Sequence, residues 1–324
     1  MSNRTRILYV VLVASLGFSA GSGCQRSSLR QDPHFSKDSS ASYYADNSGQ
    51  TPAQRIESLG QPKKRVVVLD FWNDTPVLHE DMGRFAADEL RRGLFVTERL
   101  MLPTDVSAKT SDYVQANSKI KVDQLIREGR RMGVAVMILG RVTKVVFRQR
   151  GDEVGLLRQR QSLAGVEVEV KAFDVAAGRE IMATAKSGEA SSNAIVAFES
   201  SNLASKEYRG ELTKLAIREA VAPLVPDVLR SIEKLAWEGR VAKVAGPRVY
   251  VNAGKTSGLI AGDILKVLSS GEDIFDPATG AFLGRTQGQL KGTLEVMDFL
   301  GSDGAITEIH SGANFQEGDT VQLY

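Results

Sequence analysis

The 324-residue chain carries 41 Lys and Arg against 39 Asp and Glu, is 42% hydrophobic and 25% charged, and has one cysteine. That is the composition of an ordinary globular chain long enough for two domains. A formal charge of +2, near zero without Arg4 and Arg6, excludes the basic balance expected of a nucleic-acid binder, and one thiol excludes a disulfide framework or a thiolate metal cluster.

The chain opens with Arg4 and Arg6, the apolar run Ile7 to Phe18, and then Ala20-Gly21-Ser22-Gly23 directly before Cys24. A dozen apolar residues fall short of the roughly 20 a permanent spanning helix needs, so residues 1–23 read as an export signal that is removed. A lone cysteine after small residues resembles the bacterial lipobox, although Gly21-Ser22-Gly23 lacks the Leu usual three positions before the cysteine. The resemblance implies lipidation of Cys24 by a diacylglycerol thioether and acylation of the new amino terminus. Several acyl chains together hold firmly to a membrane. Gln25, where Asp would retain the protein at the inner membrane in enteric bacteria, implies an outer-membrane location facing the periplasm. Residues 24–62 are rich in Ser, Gln, Asn, Asp and Gly without apolar period and read as a disordered tether. As a flexible coil it would reach roughly 35 Å.

The body begins at Lys63-Lys64-Arg65. Val66 to Phe71 is a continuous apolar run broken only by Asp70, the pattern of a strand buried on both faces. Met82, Phe85, Ala86, Leu90 and Leu94 recur at helical spacing, which predicts a helix from about His79 to Gly93, followed by a short strand over Leu94 to Arg99 and a polar loop from Ser107 to Asn117. Ser118 reads as the cap of a second helix carrying Val122, Leu125, Ile126 and Met132 on one face and ending at Gly133. Val134 to Gly140 predicts a buried strand continuing through Phe147. Val166, Val168, Val170 and Ala172 alternate with Glu167, Glu169 and Lys171, a strand with one wet face, and a turn at 174–178 returns it as Glu180 to Lys186. A long helical segment over 206–237 must bend or divide at Pro223 and Pro226. Two βα units leading into a hairpin predict an α/β domain at 63–237, a mixed sheet with flanking helices.

These pieces, Val-Leu-Asp-Phe at 68–71, Thr-Glu-Arg at 97–99, Val-Met-Ile-Leu-Gly-Arg-Val at 136–142 and Phe-Asp-Val-Ala-Ala-Gly-Arg-Glu at 173–180, resemble the CsgG-like family, with Val134-Ala135-Val136 in place of its Ala-Asp pair and Ala177 in place of Thr. The resemblance implies an outer-membrane-associated periplasmic α/β domain of a kind that often forms rings.

From Glu238, short β runs alternate with glycines, which predicts a small all-β barrel or sandwich at 238–324. The string Val249 to Gly254, then Gly258-Leu259 and Gly262-Asp263, then Asp276-Pro277, Gly280 and Gly284, resembles the C-terminal domain of flagellar assembly protein T. That family helps build a ring around the flagellar basal body. Gly254, Gly258, Gly262, Asp263, Asp276, Pro277, Gly280 and Gly284 are read as structural turn positions.

Catalytic chemistry finds no set of residues here. Gly254-Lys255-Thr256 lacks the phosphate-loop glycine, which would fall at Val249, and His34, His79 and His310 have no ligand spacing. No Gly-x-Ser-x-Gly elbow occurs in the mature body, and Glu167 and Glu169 are explained by strand alternation. No enzyme, cofactor, metal or nucleic acid is expected. Residues 127–160 carry nine Lys or Arg against three acids, which reads first as solvated helix and strand faces plus a flexible loop. The functional alternative is a basic contact surface of Arg127, Arg130, Arg131, Arg141, Lys144, Arg148 and Arg150 for anionic lipid head groups, glycan or an acidic neighbour. Residues 238–324 carry seven Lys or Arg against eleven Asp or Glu, a balance of −4, so a head-to-tail homo-oligomeric ring could join basic to acidic parts.

The sequence therefore reads as a lipid-anchored periplasmic scaffold of an envelope machine with protein partners, a flagellar basal-body ring or secretion apparatus first among them. A CsgG-type export channel is the alternative, and an activator of a cell-wall synthase the third. For the channel, Gln149 to Arg160 is too charged for a membrane hairpin, and Ala194, Val196 and Phe198 alternate in a stretch too short for one.

Overall fold

The computed structural model describes residues 61–76, 81–103, 109–115, 117–151, 160–191, 206–280 and 282–324. The leader, Cys24 and the tether up to residue 60 lie outside the described residues, as do His34, His79, Arg158 and the stretch 192–205.

The first part of the chain runs through β1 (Lys64–Val68), β2 (Trp72–Asn73), α1 (Met82–Val96), β3 (Leu100–Met101), α2 (Thr110–Tyr113), α3 (Val122–Met132), β4 (Val136–Gly151), β5 (Arg160–Asp174), β6 (Arg179–Ser191), α4 (Lys206–Val221) and α5 (Leu224–Glu233). The sheet order is β3-β1-β4-β5-β6, with β2 beside β4. β1 is parallel to β3 and β4, and β5 and β6 follow antiparallel, so the sheet is mixed, as the sequence pattern predicts. The continuous apolar run of β1 serves both faces. Val66 and Val68 pack with Leu90, Leu212, Ile217, Val228 and Ile232 of α1, α4 and α5, whereas Val67 and Leu69 pack with Tyr113, Leu125 and Ile126 of α2 and α3. Val166, Val168 and Val170 of β5 are buried in the first layer, while Glu167 and Glu169 face the less covered side. None of the described helices is long and apolar enough to cross a membrane.

The strand predicted over Leu94 to Arg99 is absent. α1 continues through Val96 because Leu94, fully buried, lies one turn past Leu90 on the same apolar stripe. Gly93 does not stop the helix. It is the residue the packing requires, since a Cβ there would stand 2.5 Å from Cγ2 of Val225. The polar loop that follows contains the single turn α2. Ser118 is not a helix cap either. It adopts φ 60°, its hydroxyl donates to Asp74 Oδ1 at 2.9 Å, and α3 starts after Lys121 with no side-chain cap. Gly133 does end α3, in the left-handed conformation at φ 65°, where its N–H donates to Arg130 O. Pro223 separates α4 from α5, and Pro226 lies in the first turn of α5, where its missing N–H costs no helical hydrogen bond.

The remaining chain forms β7 (Gly239–Ala245), β8 (Arg248–Val251), β9 (Ile264–Leu268), β10 (Asp273–Phe275), β11 (Phe282–Arg285), β12 (Leu290–Leu300), β13 (Gly304–Gly312) and β14 (Thr320–Leu323). Six of these strands close a barrel in the order β12-β13-β8-β7-β14-β9, and β10 and β11 form a separate hairpin. Closure leaves no sheet edge in the barrel. Its interior is filled by alternate residues such as Val249, Val251, Leu265, Val267, Leu294, Val296 and Val321, and Trp237 and Phe315 are buried in the same core.

The two Gly-Asp turns repeat one device. Asp263 Oδ2 accepts the N–H of Ile260 and Asp319 Oδ2 that of Gln316, each at 2.8 Å and three residues back. Gly258, Gly262, Gly280 and Gly284 take positive φ, while Gly254 is extended and sits where a Cβ would meet Ser302 O at 2.7 Å. Asp276 Oδ1 accepts the N–H groups of Ala278 and Thr279, and these bonds hold its carboxyl below the usual aspartate range.

Candidate functional site

The basic residues between 127 and 150 do not share one free surface. Arg130 at the end of α3 reaches Asp273 on β10, Nη1 to Oδ2 2.6 Å, and Arg131 pairs with Glu128 one turn earlier. Arg141 on β4 forks between Asp74 and Glu169, each at 2.7 Å. Burial pulls its pKa down, but Glu169 and Asp74 outweigh that and raise it. Lys171 continues the row, 3.7 Å from Glu169 and 3.8 Å from Glu180, giving a charge ladder across the less covered side of the sheet. Arg127, Lys144 and Arg148 are exposed, and the side chain of Arg150 lies outside the described residues. Lys144 and Arg148 border a 440 Å³ depression together with Glu167, Lys186 and Glu189, so acids are interleaved there as well.

A larger opening lies at the β3 edge of the sheet. It is a cleft of about 820 Å³ whose floor is Val67, Leu100, Met101, Leu102 and Val134, and Phe95 from the last turn of α1 stands beside it 70% exposed. Val96, next in the chain, is also largely exposed. α1 ends here because the apolar stripe that buries Leu94 has run out, and Glu98 turns the chain at φ 54° into β3. Lys63, Arg65 and Arg131 contribute positive charge at the rim, and Glu98 and Asp303 negative charge.

The far wall comes from the barrel turns at 254–258 and 301–303. Lys63 N donates to Ser257 O at 2.8 Å, and Ser257 Oγ lies 3.2 Å from the sulfur of Met101. Arg65 spans the gap to Asp303 at 3.8 Å, a long and partly solvated pair worth at most about 1 kcal/mol. Lys64, beside this cleft in β1, is buried. Its burial lowers its pKa, with Glu233 acting in the opposite sense.

A cleft with an apolar floor, an exposed aromatic side chain and a rim of both signs suits docking of a protein segment. Because β3 is only two residues long, it offers little main-chain template, so recognition would rest on the apolar floor and the charged rim. Sequence reasoning missed Phe95 and Val96 as surface residues, since it placed them in a strand. A helical stripe ending at Leu94 and followed by two apolar residues off that stripe was the signal. Among the described residues no group of His, Cys, Asp and Glu comes together as a metal site.

No family model matches the chain, neither the CsgG-like family nor that of flagellar assembly protein T included, and no curated protein matches it. Among solved structures it is similar to the hypothetical protein CT253 from Chlamydia trachomatis, at 15% identity and TM-score 0.36, covering 52% of this chain and 98% of that one. It is also similar to lipoprotein GNA1162 from Neisseria meningitidis, at 14% identity and TM-score 0.28, covering 52% and 99%. A third likeness is to the LpoB C-terminal domain from Salmonella enterica, at 12% identity and TM-score 0.25, covering 42% and 90%. With TM-scores this far below 0.5, these likenesses assign no role to the chain.

Proposed function

We propose that this protein is a lipid-anchored lipoprotein of the bacterial envelope, attached through Cys24 to the outer membrane, and that it acts without catalysis as an assembly or scaffold component. The observation that carries the docking role is the 820 Å³ cleft beside β3, with Phe95 exposed at its margin and charges of both signs at its rim. The anchor reading rests on the leader and the small residues before Cys24. The machine served is a flagellar basal-body ring or a secretion apparatus, on the strength of the sequence motifs in both parts of the chain. The occupant of the cleft is a second copy of the chain in a head-to-tail contact, the kind that closes into a ring rather than a two-fold dimer.

The test uses the full-length protein made in a bacterial host. Labelled palmitate should appear on the parent and be lost in Cys24→Ser. Light scattering of the detergent-solubilised protein should show an oligomer that Phe95→Asp dissociates while leaving the circular dichroism spectrum unchanged. A monomer at high concentration and low salt would overturn the ring, and absence of label would overturn the anchor. Conductance in planar bilayers would replace the scaffold with an export channel.

A further inference from the structure

Where the sheet meets the barrel there is a further cavity, of about 340 Å³, lined in part by Arg240, Arg285, Asn252 and Gln322. Arg240 stands near the start of β7, half-buried, and its Nη1 donates to Arg130 O at 2.8 Å. Arg285 on β11 donates from Nε to Gly271 O at 2.6 Å and from Nη2 to Ser270 Oγ at 2.8 Å. Behind the cavity, Arg130 donates to Asp273 through Nη1, while its Nη2 is buried without a hydrogen-bond partner. Asp273 is the carboxylate these groups share, 2.6 Å from Arg130 and 3.6 Å from Arg285, and among the described residues Arg240 has no carboxylate within ion-pair distance.

Two other acids line the cavity, and both are already engaged. Asp174 accepts the N–H groups of Ala176 and Ala177 in its own turn, and Glu238 accepts from Gln322 Nε2 at 3.0 Å. Those bonds leave both carboxylates charged, so the lining sets Arg240 and Arg285 against Asp174 and Glu238, but at Arg240 itself only Glu238 acts, against the two like charges of Arg285 and Arg130. Burial first, then the like charges of Arg285 and Arg130, lower its pKa against the opposing pull of Glu238. A half-buried guanidinium with two like-charged neighbours and no carboxylate within ion-pair distance is costly. An anion in the cavity would remove that cost, and the planar fork of arginine matches a phosphate oxygen pair.

We infer that this cavity is an oxyanion site for a phosphate-class ligand, with Arg240 as its principal contact and Arg285 as its second. A volume of about 340 Å³ leaves room for a small substituent on the phosphate. The inference stands apart from the cleft beside β3 and does not depend on what fills it.

The experiment follows thermal unfolding of the full-length protein against inorganic phosphate and glycerol 3-phosphate, with chloride at matched ionic strength as the control. In parallel, sedimentation of the Cys24→Ser protein, which carries no acyl anchor, with phosphatidylglycerol and phosphatidylcholine vesicles separates a lipid headgroup from a free phosphate. The midpoint is expected to rise with the logarithm of phosphate concentration and not with chloride. Arg240→Gln should weaken apparent phosphate affinity at least tenfold, whereas Lys243→Gln, an exposed neighbour on β7, should leave it unchanged. Should Arg240→Gln fail to fold, Arg240→Lys keeps the charge without the fork and should weaken binding several-fold. Vesicle binding specific to phosphatidylglycerol and lost in the Arg240 variants would support the site with lipid as the source. Equal responses to phosphate and chloride, or Arg240 variants indistinguishable from the parent in both arms, would overturn it.

Discussion

Asp319 and Lys291 form the most enclosed ion pair on the barrel wall, and their coupling can be worked out from the geometry. The Asp319 side chain is 3% exposed, both its oxygens lie 2.8 Å from Lys291 Nζ, and Oδ2 also accepts Gln316 N–H. Asp319→Asn keeps the shape and the Gln316 bond but strands a cation against a largely buried wall. The expected cost is about 3 kcal/mol, the lower end of what breaking a buried pair costs. Lys291→Met strands the carboxylate and should cost about 3 kcal/mol for the same reason. The double variant buries no charge, so it should cost only about 1 kcal/mol or less rather than the sum of about 6, a coupling of about 5 kcal/mol. Urea unfolding followed by Trp237 fluorescence, in a Trp72→Phe background, reads the barrel directly because Trp237 packs into its core. Additive single effects, or an Asp319→Asn cost below about 1 kcal/mol, would refute the reasoning.

Gly188→Val should destabilise by about 3 kcal/mol or more, since even a Cβ would lie 2.3 Å from Ala216 O and Ala220 N and push α4 off the sheet. Thermal melts of the parent and variant check it. Lys64→Met should be more stable than the parent at neutral pH. Burial holds the folded pKa of Lys64 below its unfolded value, so parent stability rises as pH climbs from the folded pKa toward 10.5, and the gap should close near that pH. Melting midpoints at pH 7 and pH 10.5 measure both ends. Gly133→Ala should cost about 1–2 kcal/mol in urea unfolding, because the φ of 65° is a left-handed conformation and Asn252 Nδ2 lies 3.0 Å from the added methyl.

Elements with strong local periodicity were legible in the chain itself. β1 announced itself by an unbroken apolar run, β5 by valines alternating with glutamates, and the barrel turns by glycine with Asp. What remained hidden was decided over distance. Gly93 lies inside α1 because Val225, more than a hundred residues on, fills the space a side chain would occupy. Ser118 looked like a cap, yet its hydroxyl is claimed by Asp74, which only the sheet brings near. The basic run from 127 to 150 read as one surface because its partners are remote in sequence, Asp74 and Glu169 for Arg141 and Asp273 for Arg130. The cleft beside β3 was invisible for the same reason, since its walls come from α1, α3 and the barrel turns.

The position of β1 has a mechanical consequence. It lies inside the sheet, hydrogen-bonded to β3 on one side and β4 on the other, with Lys63 tied to Ser257 at its start. A pull along the incoming chain therefore shears two parallel ladders simultaneously instead of peeling bonds one by one. Any tension along the chain that precedes Lys64 meets its stiffest resistance where the chain first joins the folded body.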